Sequence, residues 1–293
     1  FGTGQAAQRI AKQQHIPCVA TFHSKYRQDF ERAIHSKWIV DQTIKHIVSF
    51  YEQADEVWIP QASVEPTLRE YGYKGHVEVV ENGNDFTTSE TEIVRLRSQM
   101  RQTLALDDNC LMLLFVGQHI WEKNIGFILD SLATLKTIPC HLYMIGTGYA
   151  ENAIRDKIRQ LGLTTMVTMV GPVNDRETLK RYYAAADLFL FPSLYDNAPL
   201  VVREAAAMHT PAVMLQGSTA SEIITDSDNG FLCPNDINRF ASTILYLQQH
   251  PQLITHAGLR ASQTITRSWE DIVSEVLMRY QDLQQRYKIM HNS

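Results

Sequence analysis

LMLLFVGQHIWEKN, residues 111–124, decides the fold. Its apolar run reads as a buried strand, its glycine as the end of that strand, and the residues from about 124 to 137 as a helix. The same module recurs downstream. HLYMIG (141–146) precedes a helix near 150–161, MVTMVG (166–171) a helix near 175–185, and DLFLFPS (187–193) a helix near 199–208. PAVML (211–215) and GFLCP (230–234) add two further strands, with helical patterns from about 236 to the end. Strands alternating with helices predict parallel sheets covered on both faces by helices. Gly117, Gly146 and Gly171 end three of the strands. In such sheets ligands bind beyond the carboxyl ends of strands, where glycine permits close backbone approach.

A shorter series lies upstream: strands CVATF (18–22), EVWIP (56–60) and HVEVV (76–80), with helical stretches near 25–53 and 62–71. The turn residues Glu81-Asn82-Gly83-Asn84-Asp85 stop it. These series predict an α/β chain of two Rossmann-like domains. Residues 1–88 form a partial amino-terminal domain, 89–107 a connecting helical segment, and 108–265 a carboxy-terminal domain. The last segment, 266–293, is a helix crossing back to the first domain. Its Trp269, Ile272, Val276 and Tyr280 recur at helical spacing and suit packing. The opening FGTGQAAQRIAKQQ reads as a glycine-containing turn entering a helix, with no strand before it.

With 293 residues, 44% hydrophobic and 20% charged, the composition is that of an ordinary globular protein. No apolar run reaches membrane-spanning length. A formal net charge of −5 argues against broad attachment to nucleic acid but allows a small anion in one cleft. Cys18, Cys110, Cys140 and Cys233 lack the paired spacing of a zinc or redox motif and read as reduced core residues. Asp226-Ser227-Asp228 precedes Asn229-Gly230 and reads as a turn, so no metal site is expected.

Gly146-Thr147-Gly148 follows a strand, but position 151 is Glu where a dinucleotide fingerprint needs glycine, which disfavours a nicotinamide enzyme. Lys123 stands just ahead of a helix, whose free amides and positive potential suit a diphosphate. In PSLYDNAPLVVREAAAMHTPAV (192–213), Asp196 lies in a loop between Pro192 and Pro199, and Glu204 on the first turns of the helix that follows. Read singly, Lys123 is a solvated lysine, Asp196 a turn residue and Glu204 a surface acid.

Together these segments resemble the GT-B glycosyltransferases, specifically glycosyltransferase family 4. Gly117, Gln118 and Lys123 match the family's glycine, arginine-or-glutamine and lysine, and Asp196 and Glu204 its two acids separated by seven residues. IGTGY, VTMVGPV, AAADLFLFPS, REAAAMHTPAV and SDNGFLCP resemble successive family blocks in order.

The resemblance implies a retaining glycosyltransferase using a nucleoside diphosphate sugar, uridine diphosphate favoured and guanosine diphosphate mannose the alternative, with no cofactor or catalytic metal. Lys123 would hold the diphosphate and steady the leaving group. Glu204 would meet the ribose hydroxyls and Asp196 those of the transferred sugar. The amides of Leu200 and Val201 would meet the phosphates, and Gly117 would admit the donor to the strand end. His23, in ATFHS, resembles the amino-terminal histidine that faces the reacting sugar; by itself it reads as a histidine bonded to a nearby carbonyl.

Three departures matter: Gln118 for the commoner arginine, Asp196 for glutamate, and Ala198-Pro199 for Phe-Gly. They leave a nucleotide-binding protein with a decayed site as one rival, and an epimerase of GT-B type, which shares the architecture, is the other. Family members begin with a strand and glycine loop, so the amino-terminal domain is expected to be incomplete. The acceptor would be a glycan, a lipid or a small molecule. The location would be cytoplasmic, with peripheral membrane contact through the missing segment if the acceptor is a lipid.

Overall fold

In the computed structural model, residues 2–291 are described. They fall into two compact units. One comprises the residues up to Gly83 together with those from Trp269 onward; the other is Asn84–Ser268.

The first unit begins with α1 (Gly2–Gln13), β1 (Val19–Thr21), α2 (Tyr26–Ala33), α3 (Lys37–Glu52), β2 (Glu56–Ile59), α4 (Glu65–Glu70) and β3 (Glu78–Val79). The strands form a parallel sheet in the order β1-β2-β3, with Ala20 opposite Val57 and Trp58 opposite Glu78. Phe22, Ile44, Ile47, Tyr51, Ile59 and Leu68 centre its core. The glycine turn expected at the start is helix from Gly2 onward; Phe1 lies outside the described residues. Gly4 serves a different purpose. A Cβ there would stand 2.8 Å from the Phe50 ring, so the missing side chain lets α1 lie close to α3, where Gln8 also donates to the Phe50 carbonyl at 2.8 Å.

The second unit runs α5 (Glu90–Thr103), β4 (Leu111–Val116), α6 (Ile125–Ala133), β5 (Cys140–Ile145), α7 (Glu151–Gln160), β6 (Val167–Gly171) and α8 (Arg176–Ala185). It continues with β7 (Leu188–Phe191), α9 (Leu200–Ala207), β8 (Ala212–Leu215), β9 (Gly230–Cys233), α10 (Ile237–Gln249) and α11 (Pro251–Thr264). All six strands are parallel, in the order β6-β5-β4-β7-β8-β9. The unbroken apolar run of β4 follows from its central place. Leu111, Leu113 and Phe115 enter one core beneath α6, α7 and α10, while Met112, Leu114 and Val116 enter the other beneath α8 and α9.

The segment expected to join two domains, 89–107, belongs instead to this unit. Ile93, Leu96 and Met100 on α5 are buried against α8. Arg97 and Arg101 both reach Asp187, which also accepts from the Met112 amide at 2.6 Å. Three apolar positions on a polar helix are enough, because the arginines tie it to the sheet.

The unit's two ends meet. Asn84 donates to the Arg267 carbonyl at 2.9 Å and bridges Ser268. The last helix, α12 (Trp269–His291), then completes the first unit: Tyr280 stacks on Trp58 with ring centroids 5.1 Å apart, and Arg279 pairs with Glu78 at 3.2 Å. Residues 292 and 293 of the expected last segment lie outside the described residues. Among the described residues no helix is long and apolar enough to cross a membrane.

Candidate active site

The order of the second sheet reverses at β4. From it the chain proceeds outward through β5 and β6, then returns to β4's other side with β7. Adjacent loops leaving such a switch point in opposite directions open a crevice at the strand ends. Here the two loops are Gly117–Asn124 after β4 and Pro192–Pro199 after β7.

Two contacts join them. The Lys123 ammonium lies 2.5 Å from Asp196 Oδ1, with the side chains 13% and 15% exposed. Asn124 donates its side-chain amide to the Pro192 carbonyl at 3.2 Å. Lys123 also stands 5.8 Å from the Phe191 ring centroid and 5.9 Å from that of Tyr195, both within cation–π distance. The second oxygen of Asp196, Oδ2, is buried with no hydrogen-bond partner among the described residues. A buried acceptor withheld from both water and donors is costly, and a ligand hydroxyl would satisfy it.

A third loop supports the first. Gly146 follows β5 at φ +131°, and a Cβ there would lie 2.0 Å from the Gly117 carbonyl oxygen. His119 donates its amide to the Thr147 carbonyl at 3.0 Å and accepts from Ala150 at the same distance. Gly146-Thr147-Gly148 thus bonds the Lys123 loop in place through backbone contact that only glycine allows.

Beyond the Pro192–Pro199 loop, α9 begins at Leu200. The amides of Leu200 and Val201 open the helix and have no acceptor within it, as at every helix start. Leu200 is exposed and Val201 half-buried, and Gln118 is exposed. Glu204, one turn on, is buried and not part of the Lys123 pair. Arg176 donates to its Oε1 at 2.9 Å and the Tyr183 phenol to its Oε2 at 2.9 Å. Burial, then the neighbouring Glu204 charge, pushes the Tyr183 phenol well above its ordinary pKa, so it stays a donor. Arg176 also pairs with Asp85 and lies 4.3 Å above the Phe86 ring.

His23 stands two residues past β1 in the first unit. It is exposed in area, yet the protein crowding its ring lowers its pKa by desolvation. Asp226-Ser227-Asp228 is a turn: Asp226 accepts from the Leu232 amide at 2.9 Å and Asp228 pairs with Arg260 at 3.0 Å. All four cysteines are free thiols, Cys140 and Cys233 buried, Cys18 and Cys110 half-buried.

Three residues escaped the sequence. His119 is fully buried with neither ring nitrogen bonded among the described residues, and desolvation lowers its pKa. Its signal was a polar residue two positions past a strand-ending glycine and next to an isoleucine. Tyr183 has no signal beyond its place in a helical stretch. Arg176 carried the clearest signal, since a cation in the first turn opposes the helix dipole and calls for an anion nearby.

Residues 111–250 match the family described as Glycosyl transferases group 1. Alpha-monoglucosyldiacylglycerol synthase of Streptococcus pneumoniae is 25% identical over 237 residues, 79% of this chain and 54% of that protein. The chain thus spans about half the length of that curated relative. Sucrose-phosphate synthase from Thermosynechococcus elongatus superposes with a TM-score of 0.81 at 22% identity, over 96% of this chain and 71% of that one. HepE of Anabaena, solved with UDP and glucose, gives 0.78 at 19% identity, over 94% and 74%. Residues 111–250 are thus similar to group 1 glycosyl transferases, and the fold is GT-B.

Proposed function

We propose that this chain belongs to a retaining glycosyltransferase that moves a sugar from a nucleoside diphosphate sugar, UDP favoured, to an acceptor hydroxyl. The Lys123–Asp196 pair across the β4/β7 switch point, with Asp196 Oδ2 unmatched, carries the reading. A donor diphosphate brings more negative charge to Lys123 than one carboxylate does. It would take over the ammonium and free Asp196 to accept from hydroxyls of the transferred sugar. The Leu200 and Val201 amides meet the phosphates, Gly117 admits the donor, and Gln118, lacking a charge, leaves Lys123 most of the electrostatic load. Glu204 takes the ribose. His23 would face the reacting sugar.

In the reaction the acceptor oxygen bonds to the anomeric carbon as the bond from that carbon to the phosphate oxygen breaks. The departing phosphate takes the acceptor proton on the same face, which retains configuration without a protein nucleophile. Catalysis then lies in positioning and in the charge Lys123 offers the leaving group. The acceptor is a glycan, a lipid or a small molecule, and the enzyme is cytoplasmic, with peripheral membrane contact if the acceptor is a lipid. The relatives' names support sugar transfer, and the UDP in HepE supports the donor class.

The test is a thermal-shift screen with UDP, GDP, UDP-glucose and GDP-mannose, followed by donor turnover in wild type and Lys123→Ala. Loss of Lys123 should cost about 3 kcal/mol of transition-state stabilisation. No shift with any nucleotide, or unchanged turnover in the variant, refutes the proposal. Free epimerised donor in the absence of acceptor would replace transfer with epimerisation, and binding without turnover would mark a decayed site.

A further inference from the structure

Glu204 is held more tightly than a ligand-binding acid needs to be. An ionised carboxylate offers about four lone-pair sites. Tyr183 fills one on Oε2 and Arg176 one on Oε1, which leaves one on each oxygen. Two acceptor sites on adjacent oxygens suit a vicinal diol. Tyr183 alone would fix one oxygen and let the carboxylate plane turn; the second anchor on Oε1 sets the plane.

Arg176 has further contacts of its own. Its Nε donates to Asp85 Oδ2 at 3.2 Å, Nη2 reaches Asp85 Oδ1, and the guanidinium lies over Phe86. The loop beneath is pinned by Asn84, whose side-chain oxygen accepts from the Phe86 amide at 2.6 Å. An arginine in the first turn of α8 works against the helix dipole, so its place there is set by Glu204 and Asp85 rather than by helix stability.

We infer that Arg176 is a positioning residue that orients Glu204 to accept from both hydroxyls of a ribose, and that the site thereby selects ribonucleotides over 2′-deoxyribonucleotides. The inference rests on Glu204 facing the donor ribose, as proposed above. A competing role exists: Arg176 could supply to the diphosphate the charge that Gln118 lacks. The two roles differ in which part of the ligand responds to its loss.

The experiment is calorimetric titration of the full chain with UDP, 2′-deoxy-UDP, GDP and 2′-deoxy-GDP. Wild type should bind the better ribonucleotide at least about ten-fold tighter than its deoxy form, the loss expected when a hydrogen bond to a charged group goes unmade. In Arg176→Gln the ribonucleotide should weaken until the ratio is below about three, while the deoxy form changes little. Arg176→Lys should restore part of the ratio. Asp85→Asn, which leaves the Glu204 bond in place but loosens its anchor, should give an intermediate ratio, and it carries the test if Arg176→Gln does not fold. An unchanged ratio in Arg176→Gln, or equal weakening of both forms, overturns the inference and, in the second case, places Arg176 on the diphosphate. If wild type binds none of the four nucleotides, the donor-site proposal falls and this inference with it.

Discussion

Replacing Lys123 by methionine in the nucleotide-free protein should be costly for a reason separate from catalysis. Among the described residues the ammonium is the one hydrogen-bonding partner of the Asp196 carboxylate oxygens, at 2.5 Å from Oδ1, and Oδ2 is already unmatched. Methionine keeps most of the side-chain bulk, so the chief effect is a nearly buried carboxylate left without its countercharge. Removing one partner of a buried pair costs about 3–5 kcal/mol, and the residual 13–15% exposure puts this pair near the lower end, at about 3 kcal/mol. For a unit the size of Asn84–Ser268, each kcal/mol moves the melting midpoint by about 2–4 °C, which gives a fall of about 6–12 °C. Differential scanning calorimetry of the full chain reads this directly. Adding Asp196→Asn removes the stranded charge and should recover more than half of the loss. A single variant that melts within about 2 °C of wild type, or a double variant that melts no higher than the single, would refute the account.

Asp187→Ala strands Arg97, Arg101 and the Met112 amide together, and should lower stability by about 3 kcal/mol, read as a shifted urea midpoint. Gly146→Ala forces a Cβ against the Gly117 carbonyl at a backbone angle that alanine resists, so it should cost about 2–3 kcal/mol and abolish the nucleotide-induced thermal shift. His119 is neutral when folded because burial lowers its pKa below the ordinary value of about 6.5. Unfolded chains then bind a proton that folded ones do not, and stability is lost as pH falls through about 6.5 toward the folded value. His119→Leu should flatten part of that slope between about pH 7.5 and about pH 5.5, leaving the share from His23, His141 and His209, which shift the same way. Equal acid loss in variant and wild type would count against this.

The second unit was readable because its strands are apolar on both sides. The run 111–116 feeds two cores, and that double burial is what makes a parallel strand conspicuous in one dimension. α5 was misread for the opposite reason. It holds to the sheet through Arg97 and Arg101, and a polar helix anchored by ion pairs looks like a linker until its partner Asp187, nearly ninety positions away, is placed. The same limit governs the site. Lys123 and Asp196 were legible as members of a motif, yet their pairing and the unmatched Oδ2 follow from β4 and β7 being neighbours, which the chain order of strands does not announce. Gly4 shows the reverse error: a glycine that reads as a turn is there so that a helix can approach Phe50.

The bridge between Asn84 and Ser268 has a consequence for synthesis. A unit whose ends touch is a closed insertion, and it can complete itself on the ribosome once Ser268 has emerged. The first unit cannot. Its Trp58 and Glu78 wait for Tyr280 and Arg279, which arrive on the order of ten seconds later at ordinary rates of elongation. In that interval the three-stranded sheet stands without α12, and the order of assembly is the reverse of the order of translation: the part begun first is finished last.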